Sequence, residues 1–179
     1  MKNICIYCGS KHGKNEKYSV IAVELAEKLA ENNINIVYGG SNIGLMGKIA
    51  NAALNKGGEV IGIIPKFLVD KEIAHNGLTE LIIADSMHER KQIMESHSDA
   101  FVALPGGLGT VEEIIEMIAW AKLKLHSKPC AFLNINGYYN SLFNFLDNMV
   151  NEGFLDKKIK DMIIIEDDMN RLIKKLQLK

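Results

Sequence analysis

Ala100-Phe101-Val102-Ala103-Leu104-Pro105-Gly106-Gly107-Leu108-Gly109-Thr110-Val111-Glu112-Glu113 joins a strand pattern, a glycine turn and a helix pattern without a break. Its first five residues form an apolar run of strand length, and the residues from Val111 onward repeat with a helical period. A strand, a glycine turn and a helix start in that order make an anion site. The first amides of a helix have no intrahelical acceptor, and the helix dipole favours negative charge there. Glycine keeps side chains out of the way where a ligand approaches the backbone. The amides of Gly106, Gly107, Gly109 and Thr110 are therefore the candidates to hold a phosphate. Glu113 lies one turn further in. Phosphate binding alone does not call for a carboxylate there, so Glu113 is the first candidate for chemistry.

The same alternation runs through the chain. Apolar runs predict strands at 4–7, 34–38, 59–64, 80–84, 100–104, 129–133 and 163–165. Helical periods predict helices at 16–31, 44–56, 87–97, 111–125, 138–150 and 169–178. Strands apolar on both faces, alternating strictly with helices, specify an α/β fold: a Rossmann-like, doubly wound parallel sheet with helices on both faces. No linker, repeat or low-complexity tract divides residues 1–179, so one nucleotide-binding domain is expected. Ligands of such sheets bind beyond the carboxyl ends of the strands, at the topological switch point. The strand ends carry Gly9 and Ser10, then Gly39-Gly40-Ser41-Asn42, then Met87, Arg90 and Lys91, then the Pro105-Gly106-Gly107 turn.

Composition narrows the function. With 47% hydrophobic residues and a formal net charge of −1, the chain lacks the basic footprint of a nucleic-acid binder. No apolar run approaches the roughly 20 residues of a membrane helix, and the first residues enter a strand without a signal-peptide core. A cytoplasmic protein with no membrane partner is the expectation. Cys5 and Cys8 fall on opposite sides of one strand, and Cys130 completes no disulfide framework. The five histidines show no metal-ligand spacing, and neither metal nor cofactor is expected. A dinucleotide fingerprint fails because Gly107-x-Gly109 is followed by Glu112 where its third glycine belongs. A triphosphate loop fails because Gly47-Lys48 is followed by Ile49, not a hydroxyl. A mononucleotide or sugar phosphate remains.

Glu113 and Arg90 each have an ordinary reading as well. Thr110-x-x-Glu113 fits a capping box at a helix start. Helical phase argues that this is not all: Val111, Ile115 and Ile118 read as the core face, with Glu113 opposite, beside Met117 and Trp120. A helix apolar on two sides needs two covers, and a second subunit or the C-terminal helix would supply the other. Arg90 shares a stripe with Met87, Met94 and His97, so it either snorkels to a surface carboxylate or clamps a substrate anion. Lys91 reads as solvated. Ser10, Ser41 and Thr110 serve equally as turn residues or as hydrogen-bond donors to a ligand.

Pro105 to Glu113 spells PGGxGTxxE, and with Cys8-Gly9-Ser10, Tyr38-Gly39-Gly40, Gly44-Leu45-Met46-Gly47, Ile61-Gly62-Ile63-Ile64-Pro65, Met87-His88-Glu89-Arg90-Lys91, Trp120-Ala121 and Lys128-Pro129 it resembles the LONELY GUY family, often mislabelled lysine decarboxylases. The likeness spans roughly residues 4 to 155 in order. It implies hydrolysis of the N-glycosidic bond of a nucleoside 5′-monophosphate, a cytokinin riboside 5′-monophosphate or AMP, to free base and ribose 5-phosphate. It implies Arg90 and Glu113 as the catalytic pair and a homodimer without cofactor. Substrate contacts carried over by the likeness or by position at the strand ends are Gly9, Ser10, Gly40, Glu72, Met87, Arg90, Lys91, Gly106, Gly107, Leu108, Gly109, Thr110, Val111, Glu112 and Glu113. Ala119 stands where the family often has threonine. A non-catalytic nucleotide sensor and transfer of ribose phosphate to another base stay open as alternatives.

Overall fold

The computed structural model describes residues 2–69 and 73–177. Seven strands are present: β1 (Asn3–Tyr7), β2 (Asn35–Tyr38), β3 (Val60–Pro65), β4 (Glu80–Ala84), β5 (Ala100–Ala103), β6 (Cys130–Leu133) and β7 (Ile164–Glu166). They pair in parallel throughout, in the order β4-β3-β2-β1-β5-β6-β7. From β1 the chain winds outward through β2 to β4, then returns to β5 on the other flank. The switch point therefore lies between β1 and β5, where Cys5 pairs with Phe101 and Tyr7 with Ala103.

Alternation along each strand feeds two separate cores. Ile4 and Ile6 face the layer formed by α1 (Glu16–Glu31), α2 (Gly44–Asn55) and α8 (Met169–Gln177), where Leu25, Leu29, Ile49 and Leu172 pack. Cys5 and Tyr7 face the layer of α4 (Met87–Ser96), α5 (Leu108–Lys122) and α6 (Asn140–Asn151), with Met94, Ile114, Met117 and Phe143. The Cys5 and Cys8 thiols are thus buried on opposite faces of the sheet, and burial pushes the Cys5 thiol up to about 12.

Expected and observed elements differ at particular places. Helix α5 begins at Leu108, earlier than the residue 111 read from hydrophobic periodicity, because Gly107 and Gly109 carry no apolar signal although Gly107 caps the helix. It ends at Lys122 rather than 125, since Lys124 takes a left-handed conformation at φ 61 and Leu125 N–H bonds back to Trp120 O at 3.0 Å, a common helix stop. The helix expected from 138 starts at Asn140. A 3₁₀ turn, Ile135–Gly137, precedes it, with Asn136 left-handed at φ 55 and Asn134 Oδ1 accepting from Tyr139 N–H at 2.8 Å. Two short helices, α3 (Lys66–Val69) and α7 (Lys157–Met162), have no periodic signal because four and six residues are too few to show one.

The face of α5 needs a larger correction. Thr110, Glu113, Ile114 and Met117 are the buried residues, while Val111, Ile115 and Ile118 flank them half-buried. The apolar stripe taken for the core face is a shoulder, and Glu113 lies on the inner side. Nor does α8 cover α5, because the two helices lie on opposite faces of the sheet.

Candidate functional site

Four strand ends converge over the switch point, and a cleft of about 380 Å³ opens there. Ser10 after β1, Gly39 and Met46 after β2, and Arg90 from α4 line it, together with Gly107, Leu108, Gly109, Thr110 and Glu113 at the start of α5. Gly107 caps α5 without help from any side chain, and the first bond back to it comes from Val111 N–H at 3.2 Å. The amides of the first turn are therefore available to an anion. Position Thr110 is inside the helix, not at its cap, so the Thr110–Glu113 capping box does not form.

Glu113 is instead paired. Arg90 Nη1 donates to Glu113 Oε1 at 2.8 Å, with relative exposures of only 7% and 9% for the two residues. Arg90 Nε donates to the carbonyl of Ile63 at 3.1 Å, fixing the guanidinium against the end of β3. Burial pushes the Glu113 carboxyl above its ordinary value, against the pull of Arg90, and the charge of Glu112 adds to the rise. One carboxylate oxygen is occupied by arginine. The other, Oε2, makes no hydrogen bond among the described residues. Ion pairing is what lets a carboxylate occupy the inner face of a helix, because a buried charge without a partner is prohibitively unfavourable.

Gly39 makes the pair possible. A methyl built on it would lie 2.5 Å from Met46 Cε and closer still to Arg90 Nη2, so only glycine leaves the guanidinium room. Gly106 is equally constrained, since a Cβ there would collide with Thr110 and come within 2.9 Å of Gly9 N. Around Gly107 and Gly109 the space is open.

Other expected contacts lie elsewhere. Gly9 and Gly106 border a neighbouring depression of about 350 Å³, which shares Ser10 and Gly107 with the cleft. Gly40 sits behind Gly39 and accepts His75 N–H at 3.0 Å. Met87 is partly exposed at the start of α4, where Ser86 caps Glu89 N–H at 3.1 Å. Val111 and Glu112 face away from the cleft lining. Lys91 is buried, not solvated: its Nζ bridges Glu112 at 2.6 Å and Glu116 at 3.0 Å, tying α4 to α5. Glu72 lies outside the described residues. The sequence places Gly39 at a ligand-binding strand end without marking it as a contact, and gives no sign of Leu68 in the lining or of the Ile63 carbonyl as an anchor. For a backbone carbonyl no signal existed, whereas Gly39 was visible within its glycine pair. Among the described residues, no three His, Cys, Asp or Glu side chains come together as a metal site.

A family model described as "Possible lysine decarboxylase" matches residues 46–176. The chain is 47% identical over 176 residues to cytokinin riboside 5′-monophosphate phosphoribohydrolase LOG5 of Arabidopsis thaliana, covering 98% of this chain and 77% of that protein. It is 46% identical to the probable cytokinin riboside 5′-monophosphate phosphoribohydrolase LOGL2 of Oryza sativa subsp. japonica, covering 98% of this chain and 72% of that one. Among solved structures, the molybdenum cofactor carrier protein of Chlamydomonas reinhardtii superposes with a TM-score of 0.73 at 24% identity, covering 99% of each chain. That last likeness concerns the fold alone.

Proposed function

The chain belongs to the family whose model is described as possible lysine decarboxylase and whose curated members include the cytokinin riboside 5′-monophosphate phosphoribohydrolases, and from that premise we infer that it cleaves the N-glycosidic bond of a nucleoside 5′-monophosphate. The products are a free base and ribose 5-phosphate. One observation carries the assignment of the chemistry: a buried Arg90–Glu113 pair at 2.8 Å, one turn from the open amides of α5.

The geometry suits the bond. We place the 5′-phosphate on the amides of Gly107, Leu108, Gly109 and Thr110, where dipole and free N–H groups favour it. This anchors the sugar and makes cleavage effectively intramolecular. As the C1′–N bond lengthens, positive oxocarbenium character develops on the ribose, and a carboxylate beside it stabilises that charge. Oε2 of Glu113 is the oxygen left to face the sugar or to accept a proton from the attacking water. Water oxygen bonds to C1′ as the C1′–N bonding pair leaves with the base, and the proton that the water gives up through Glu113 is balanced by the one the base takes up. Arg90 holds the carboxylate in orientation and keeps Nη2 against the cleft at Gly39.

Decarboxylation of lysine through a Schiff base needs a lysine amine that gives up its proton easily. For Lys91, the buried lysine among the described residues, burial opposes the charge, but Glu112 and Glu116 outweigh it and the ammonium is held above its ordinary value. The apolar side chains of Met46, Leu68 and Leu108 in the cleft suit a purine, plain or N6-substituted. Leu108 is 91% exposed at the cleft mouth, and Phe67 and Met87, which follow β3 and β4, are also exposed, which supports a homodimer closing over it. No described helix is long and apolar enough to cross a membrane, and the buried cysteines suit a reducing cytoplasm.

Incubation with a panel of nucleoside 5′-monophosphates, including AMP and its N6-isopentenyl derivative, tests the reading by chromatography. Equal amounts of free base and ribose 5-phosphate are expected from at least one member. No base from any purine monophosphate defeats it.

A further inference from the structure

Three successive carbonyls of the glycine turn are each tied to a donor. Tyr139 Oη donates to Leu104 O at 2.6 Å, Gly9 N–H to Pro105 O at 3.1 Å, and Tyr138 Oη to Gly106 O at 2.5 Å. Both tyrosines stand where the 3₁₀ turn runs into α6. Their rings pack edge to face with centroids 4.9 Å apart, and Tyr138 meets Tyr18 in the same way at 5.6 Å.

The third of these bonds bears on the phosphate. A peptide unit is planar, and all those described here are trans, so the carbonyl of Gly106 and the N–H of Gly107 point in opposite directions from one rigid plate. Glycines flank that plate on both sides, and they impose little steric resistance to rotation. Left alone it could turn over, presenting a carbonyl oxygen to an anion instead of an amide. The lining residues agree with this geometry: Gly106 and Tyr138 border the neighbouring depression and not the cleft, while Gly107 borders both and reaches the cleft with Leu108, Gly109 and Thr110. We propose that Tyr138 is a positioning residue for the phosphate, its hydroxyl pinning the Gly106–Gly107 peptide so that the Gly107 amide faces the cleft. The inference rests on the phosphate reading of the α5 start given above.

Tyr139 supplies an internal control. Its bond holds the Leu104 carbonyl, but the nitrogen in that peptide belongs to Pro105, which has no hydrogen to offer. Loss of the Tyr139 hydroxyl costs a buried hydrogen bond without freeing an anion-binding amide. Tyr138, by contrast, is partly exposed, and phenylalanine preserves its ring contacts.

Tyr138→Phe and Tyr139→Phe are compared with the parent by calorimetric titration with ribose 5-phosphate, by kcat and KM on AMP and on adenosine, and by thermal midpoint. For Tyr138→Phe, affinity for ribose 5-phosphate falls about tenfold, as expected for one bond to a charged group. KM for AMP rises in step, the advantage of AMP over adenosine shrinks, and the thermal midpoint barely moves. Tyr139→Phe lowers the midpoint and keeps ribose 5-phosphate affinity within about twofold. Parent-like affinity in Tyr138→Phe overturns the proposal while leaving the hydrolase reading intact, as does an equal loss of affinity in both variants. A parent that does not bind ribose 5-phosphate removes the phosphate site itself, and this inference with it.

Discussion

Replacing Gly39 with alanine probes the Arg90–Glu113 geometry without touching either residue. The new methyl would sit 2.5 Å from Met46 Cε and nearer to Arg90 Nη2, whereas ordinary contact between such atoms begins near 3.4 Å. Met46 can swing aside. Arg90 cannot do so freely, because Nε is held by Ile63 O at 3.1 Å and Nη1 by Glu113 at 2.8 Å. A retreat of about 1 Å restores contact distance and carries the bond to Glu113 beyond hydrogen-bond reach. A bond to a charged group contributes about 1.5–3 kcal/mol, so kcat should fall roughly 10- to 100-fold. The cost to folding is smaller. The backbone at Gly39 has no left-handed φ, and reduced freedom of the unfolded chain offsets about 0.4–1 kcal/mol of the clash. Steady-state kinetics on a nucleoside monophosphate, with a thermal melt alongside, give both numbers. A variant with parental kcat would refute the argument that the guanidinium must hold the carboxylate. A loss of kcat matched by gross unfolding would refute the claim that the effect is local.

Other outcomes follow from the same site. Because burial raises the Glu113 carboxyl and the proposed mechanism uses its ionised form, kcat should decline in acid with a midpoint above the ordinary glutamate value; a limb at or below that value contradicts the burial argument. Folding favours the protonated carboxyl, so the parent loses stability relative to Glu113→Gln as pH rises through the folded value, measurable by denaturant titration at several pH values. Adenosine should be turned over far more slowly than AMP, since the open amides of α5 then have nothing to hold, and comparable rates would sink the phosphate assignment. Sedimentation at micromolar concentration should give twice the chain mass; a monomer there disposes of the dimer.

Much of this was legible in the sequence, for identifiable reasons. Strands buried on both faces announce themselves as apolar runs, and residues 80–84 and 16–31 were bounded as β4 and α1 appear. The glycine turn, Arg90 and Glu113 were visible because glycine and charge are conspicuous in an apolar setting. The inner face of α5 was not, because periodicity assigns apolar residues inward and cannot foresee a carboxylate whose partner comes from another helix. Periodicity therefore puts Val111, Ile115 and Ile118 in the core and turns Glu113 outward. Lys91 reads as solvated for the same reason, since its two partners lie on α5. Tyr138 and Tyr139 read only as the start of a helix. Their hydroxyls reach carbonyls 32 and 35 residues away in the chain, a distance no local pattern records.

In the proposed mechanism Glu113 performs the chemistry and does not merely balance Arg90. Glu113→Gln tests it most directly, because glutamine keeps an oxygen for Arg90 Nη1 and nearly the same volume while removing the charge. Base release from a nucleoside 5′-monophosphate should fall by roughly 100- to 10,000-fold, the range of a lost general base or charge stabiliser. Affinity for ribose 5-phosphate should stay close to the parent value. A folded Glu113→Gln protein that releases base at the parental rate would contradict the account.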